Sequence, residues 1–145
     1  MRPSPLRGPD RDAGNAALEL VVLAPALALL LGLVIAAGRT SIAQNSMAAA
    51  ARDAARQASI SLTAKDAQSA ASSSAQAALS KDGLHCTPHV TIDTSGFSVP
   101  AGQPAQVTAT VSCTVPLSDL LVPGLPGSKT LTATFTSPLD PFRER

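Results

Sequence analysis

The strongest pattern in the chain is an uninterrupted apolar run near its N-terminus. Leu20 to Ala37 carries no charged side chain over 18 residues, and extending the segment back to Leu18 gives 20 residues, with Glu19 as its one charged member. A helix needs about 20 mostly apolar residues to cross roughly 30 Å of hydrocarbon at ~1.5 Å per residue. The run therefore predicts a transmembrane helix, which we place at residues 15–38.

An alanine-rich segment follows. From Thr40 to Ser80 there is no Pro or Gly for 41 residues, which favours a continuing helix over residues 39–83 that ends at Lys81-Asp82-Gly83. Ser59 to Thr63 is a weak point, because its β-branched and hydroxyl-bearing side chains lower helix propensity and could mark a bend. The alanines have two interpretations: a spacer driven by helix propensity, or a close-packing surface for neighbouring subunit helices or for the chain's own sheet.

The pattern changes to alternation, turns and prolines after Leu84. Strands are predicted at His89–Asp93, Ala105–Val115 and Lys129–Thr136, with breaks at Ala101–Pro104 and Pro123–Gly127. In the second strand one face carries Val107, Ala109, Val111, Cys113 and Val115. That apolar face needs cover, for which the preceding helix is the nearest candidate. The predicted class is α+β: a long N-terminal helix followed by a small antiparallel three-stranded sheet at residues 84–137, with a tail at 138–145.

Composition limits the size and the partners of this fold. The 145 residues include only three Phe and no Trp or Tyr, so a soluble core must be small and built from Val, Leu and Ala. The net charge of +1 and the lack of a basic face interleaved with aromatic residues give no reason to invoke nucleic acid. We find no nucleophile elbow, phosphate loop or closely spaced acid pair, so we expect neither enzymatic activity nor a cofactor.

Cys86 and Cys113 are the two cysteines of the chain, 27 positions apart. In an oxidising compartment they can form a disulfide, which contributes roughly 3 to 4 kcal/mol on a loop-entropy model and would tie the first strand to the second inside the core. The alternative is a zinc site with His85 and His89. The spacing is not that of a zinc knuckle and adjacent strand residues point apart, so we favour the disulfide and expect no metal.

An acidic residue at the entrance of the apolar run requires a reason, because a charge near hydrocarbon costs up to a few kcal/mol. Gly14 lies five residues before Glu19. If the bond after Gly14 is cut, Asn15 becomes a positively charged amino terminus that Glu19, one helical turn away, can neutralise on its own or a neighbouring subunit. A glycine before the cut suits a protease that needs an unhindered, extended backbone. The order of these features resembles the processing site of type IV prepilins and pseudopilins.

The resemblance narrows within the first part of the chain. Gly14-Asn15-Ala16-Ala17-Leu18-Glu19 is followed by Leu20-Val21-Val22-Leu23-Ala24-Pro25, by Gly38-Arg39, and by Ala50-Ala51-Arg52-Asp53-Ala54-Ala55-Arg56. This is similar to the TadE-like family of tight-adherence (Flp-type) pilus systems, with its G-S-A-A-V-E-F-A-L-V-L-P core, its G-R after the membrane helix and its A-A-R-E-A-A-R helix. Leu20 replaces the usual Phe, which is a conservative departure.

The resemblance implies a pseudopilin-like minor subunit that helps to assemble a tight-adherence pilus or a related secretion apparatus. It also implies a leader at residues 1–14 that a prepilin peptidase removes after Gly14, so that the chain is a substrate. The expected partners are the membrane, that peptidase, and other pilins, pseudopilins and pilus assembly proteins. The expected location is the cell membrane, in a single pass.

The charges that flank the apolar run favour one orientation, and two alternatives to the pilus interpretation stay open. Arg2, Arg7 and Arg11 precede the run, against Arg39 close behind it and Arg52 and Arg56 farther on, which favours a cytoplasmic N-terminus and an extracytoplasmic C-terminal domain. A cleaved signal peptide with Ser41-Ile42-Ala43 as its small-x-small site is one alternative. The other is an extracytoplasmic binding module on an uncleaved signal anchor.

Overall fold

The structure is a computed structural model that describes the backbone of residues 11–120, 124 and 126–142, and the side chains of these residues from Leu18 onward. The chain divides into two compact units, Met1–Ala36 and Ala37–Arg145. The first ten residues of the predicted leader lie outside the described part. The described strands all belong to the second unit, which also contains the predicted Ala-rich extension.

Helix α1 spans Arg11–Ser59 and contains Pro25. It lacks Gly and Pro beyond Gly38, and its last turn carries Arg56, a favourable charge at the negative end of the helix dipole. The helix predicted to continue through residues 40–80 is nevertheless interrupted, because α1 ends at Ser59 and a second helix, α2, spans Ala64–Lys81. The expectation of one continuous helix is thus wrong, and the interruption lies at the weak point identified from the sequence.

Specific caps fix both ends of α2. The Thr63 side chain accepts a hydrogen bond of 3.1 Å from the backbone N–H of Asp66. This bond satisfies one of the backbone N–H groups of the first turn, which have no partner within the helix. At the other end Leu84 N–H donates to Leu79 C=O at 2.9 Å and Gly83 N–H donates to Ser80 C=O at 3.2 Å. With Gly83 at a φ of 75° this is a Schellman motif, so the predicted glycine stop is confirmed.

Helix α2 folds back along the second half of α1. Ser74 lines the same surface depression as Asp53 of α1. Leu84, just past the end of α2, lies beside Ile42 and Ala43. The break at Ile60–Thr63 therefore turns the chain and produces an antiparallel pair of helices within the second unit.

The sheet contains three antiparallel strands in the order β1-β2-β3. They span His89–Asp93, Ala105–Pro116 and Ser128–Leu139. The three predicted strands are therefore confirmed, although β3 runs two residues past residue 137, so the predicted tail begins inside a strand. A 3₁₀ turn at Ser95–Ser98 follows β1 and a short helix, α3, at Leu117–Leu120 follows β2.

The two helices cover one face of the sheet. On β2 the predicted apolar face is buried and the opposite face is not. The buried core combines this face with side chains from both helices, most of them alanines: Ala43, Met47, Ala50, Ala51, Ala54, Ala55, Ala58, Ala67, Ala71, Ala75 and Leu79. Burial of so many alanines rules out the spacer interpretation for the second unit, since they form the contact between the helices and the chain's own sheet.

The outer face of the sheet is lined with hydroxyl groups. Threonines on β2 pair directly with threonines on β3 across the strands, with oxygen–oxygen distances of 2.9, 3.1 and 3.0 Å for Thr108–Thr136, Thr110–Thr134 and Thr114–Thr130. Cross-strand pairs of this kind stabilise a sheet by a few tenths of a kcal/mol to about 1 kcal/mol each. They help to hold β3 in register with β2.

Cys86 and Cys113 form a disulfide with a Cα–Cα distance of 6.1 Å. The predicted pairing is therefore present, and Cys113 is buried on the apolar face of β2 as expected. Cys86 differs from the expectation, because it lies three residues before β1 and is only partly buried. The bond thus joins the connection between α2 and β1, rather than strand β1 itself, to the central strand.

Candidate processing site and membrane-proximal residues

The predicted processing site lies at the start of α1. The backbone of Gly14 and Asn15 is helical, within the first turns of a helix that begins at Arg11. A protease that requires an extended chain at Gly14 would therefore have to unwind α1 locally.

Glu19 is exposed and is surrounded in sequence by exposed apolar residues. Leu18 is 69% exposed and Leu20 is 65% exposed. Because α1 is helical throughout, the backbone nitrogen of Asn15 lies one turn before Glu19. An amino terminus created at Asn15 would therefore lie one helical turn from the exposed carboxylate of Glu19.

The large apolar side chains after Glu19 are exposed in the described part of the first unit. The helix from Leu18 contains an 18-residue window with a mean hydropathy of 2.8, long and apolar enough to cross a membrane. Its large exposed side chains are Leu18, Leu20, Val21, Val22, Leu23, Leu27, Leu29, Leu30, Leu31, Leu33, Val34 and Ile35. Such a surface is stable in lipid or against other apolar helices, and α1 is therefore a candidate membrane span.

The histidines considered as zinc ligands lie at the surface. His85 and His89 are exposed, and the two cysteines that would complete the site are bonded to each other. Within residues 18–120, 124 and 126–142, no three His, Cys, Asp or Glu side chains are placed to hold a metal ion. Among the acids in these ranges, Asp93 has a clearly lowered pKa, because its carboxylate accepts a hydrogen bond of 3.0 Å from the backbone N–H of Ser95.

The second unit contains a small cavity near Arg39 of α1 that sequence patterns did not reveal. Its volume is about 210 Å³, and we call it the Arg39 cavity. It is lined by Arg39, Ile42, Ala43, Gly83, Leu84, His85, Val115, Asp119 and Leu120. These residues come from four separate segments, so no local motif could have indicated it.

The apolar helix, its acid at the entrance and the glycine before it coincide with a known family pattern. Residues 14–56 match the family model of TadE-like protein. The resemblance predicted from the sequence is thereby confirmed for this segment, which begins at Gly14 and ends in the last turn of α1. Comparison with curated proteins and with solved structures gave no match.

The TadE-like segment gives the chain its functional context. The match suggests involvement in the assembly of a tight-adherence pilus and association with the assembly machinery in the membrane. It covers α1 nearly to its end and includes none of the sheet.

Proposed function

We propose that the chain is a pseudopilin-like minor subunit that assists the assembly of a tight-adherence pilus or a related secretion apparatus. The observation that carries this proposal is that the TadE-like match starts at Gly14. The next residue, Asn15, lies one helical turn before Glu19. A glycine, four residues, an acid and an apolar helix follow one another here in the order that the resemblance to prepilin processing sites implies.

Cleavage after Gly14 would remove the basic leader and leave an α-amino group on Asn15. In a medium of low dielectric constant, an amine and a carboxylate one turn apart attract each other far more strongly than in water. The same attraction acts between two chains when the Glu19 of one meets the amino terminus of a neighbour. The acid then serves to align a subunit with its neighbours inside the membrane.

We infer a single-pass protein with its N-terminus in the cytoplasm and its sheet outside. Arg2, Arg7 and Arg11 before the apolar run support that orientation through the distribution of positive charge. The disulfide supports it independently, because such bonds form and persist in oxidising compartments. The partners in this proposal are the prepilin peptidase, other pilins and pseudopilins, and pilus assembly proteins.

The mass of the mature protein tests the proposal. Full-length protein expressed with its peptidase and purified from membranes should begin at residue 15, and replacing Gly14 with Phe should leave the leader attached because the bulky side chain blocks the peptidase. Gly8→Phe, which adds the same bulk inside the leader, should still be cleaved. A mature N-terminus at residue 1 or 2 would favour a binding module on an uncleaved anchor, and one at residue 44 would indicate a signal peptide.

A further inference from the structure

The Arg39 cavity has an apolar floor and a charged rim. Ala43, Val115 and Leu120 are each only 4% exposed and form part of the floor. Arg39 and Asp119 stand on the rim as groups of opposite charge. A shallow cavity of this size with one cation and one anion at its mouth suits a small zwitterionic group rather than an extended ligand.

The rim carries polar groups that can meet both signs of charge. Arg39 offers a guanidinium with several N–H donors, which suits a phosphate because two donors can engage two oxygens. The exposed imidazole of His85 provides another polar group on the rim. Asp119 accepts a hydrogen bond of 3.2 Å from the hydroxyl of Ser118, and this bond orients its carboxylate.

The position of Arg39 in the chain indicates where such a group would come from. Arg39 follows Ala37, the last residue of the apolar run, by two positions in α1. Basic residues at the ends of a membrane span lie at the level of the lipid headgroups. Ile42, one turn farther along, is 64% exposed and lines the same cavity, so it offers apolar surface beside the charges.

We propose that the Arg39 cavity binds the headgroup of a phospholipid that carries a primary amine, in the leaflet on the side of the folded unit. Arg39 holds the phosphate and Asp119 holds the ammonium group, while the acyl chains remain in the bilayer. This inference rests on the membrane insertion in the proposed function. The bound lipid fixes the folded unit against the membrane surface, and it must be released when a subunit leaves the bilayer.

Native mass spectrometry of the full-length protein in detergent micelles tests this site. Phosphatidylethanolamine should be retained, with an affinity about tenfold above those of phosphatidylcholine and phosphatidylglycerol, which corresponds to roughly 1.4 kcal/mol. Arg39→Gln and Asp119→Asn should each remove that preference, and Arg39→Lys should keep part of it because the positive charge remains. Inorganic phosphate at millimolar concentration should not displace the lipid, since it lacks the amine.

Matched variants separate the cavity from general charge effects. Lys65→Gln and Asp53→Asn remove one exposed charge of each sign elsewhere on the helices, and both should retain the lipid preference. Equal binding of the three lipids by the unaltered chain would overturn the proposal, as would an unchanged preference in Arg39→Gln. An intact disulfide in each variant verifies that it has folded. Lipid retention is independent of leader cleavage, so a failure here would leave the pilus role to be tested separately by the N-terminal mass.

Discussion

The side-chain amide of Gln68 on α2 donates a hydrogen bond of 2.8 Å to the backbone carbonyl of Val90 on β1. This bond joins the helical layer to the shortest strand of the sheet across 22 residues of chain. It also occupies a backbone acceptor of a strand that is paired with β2. β1 is therefore held by a polar contact from the helices as well as by its ladder.

Replacing Gln68 with Leu should lower the free energy of unfolding by about 1 kcal/mol, because the carbonyl of Val90 loses its donor. Urea titration of the full-length protein in detergent micelles, followed by circular dichroism, measures this. Gln76→Leu is the matched control, since that amide reaches only Ser80 of its own helix at 3.5 Å. Equal losses in the two variants would mean that the bond to Val90 contributes nothing.

Enlarging a buried alanine tests the close packing of the helices. Ala75 is 0% exposed, so Ala75→Leu should cost about 1 to 3 kcal/mol through overpacking. The same change at Ala77, which is exposed on the same helix, should have little effect. Thermal unfolding of both variants makes the comparison, and a tolerated Leu at residue 75 would show that the interface between the helices and the sheet is loose.

The disulfide should protect the folded unit. Cys86 and Cys113 should resist alkylation until a reductant is added, and the double serine variant should lose roughly 3 to 4 kcal/mol on a loop-entropy model. Limited proteolysis with and without reductant should show faster cleavage when the bond is absent. Two freely reacting thiols in protein taken directly from membranes would contradict both the pairing and an extracytoplasmic location.

Glu19 should matter for assembly rather than for insertion. Glu19→Leu removes a charge from the apolar segment, so the variant should reach the membrane at least as well as the unaltered chain. It should lose association with partner pilins, and pilus-dependent adherence with it. Glu19→Gln should behave in the same way, whereas Glu19→Asp should retain part of the function. Normal association of the Leu variant, measured by co-purification, would leave the acid without a role.

The strands could be predicted from the sequence because their signals are local. Alternation along β2 identified the buried face from Val107 to Val115 correctly, and the turns around it limited the register. The glycine stop at Gly83 also follows from nearby side chains, and α1 ends at the weak point that the sequence marked within a helix expected to continue. The six residues from Gly14 to Glu19 also led to the processing site, which stays a prediction.

Other features could not be predicted because they depend on residues that meet only after folding. Alanine favours a helix and also permits close approach, so its frequency alone could not distinguish a spacer from a core. The antiparallel return of α2 depends on burial against the sheet. The Arg39 cavity brings Arg39 together with Asp119, which lies 80 positions away in the sequence.

The unequal exposure of the two linked cysteines has a consequence for the order of events during export. Cys113 is 2% exposed, whereas Cys86 lies partly accessible in the connection before β1. A reductant or oxidant in solution therefore approaches the bond from the side of Cys86. With the unit outside the cell as proposed, the bond forms after translocation, so an oxidised chain records that its passage across the membrane is complete.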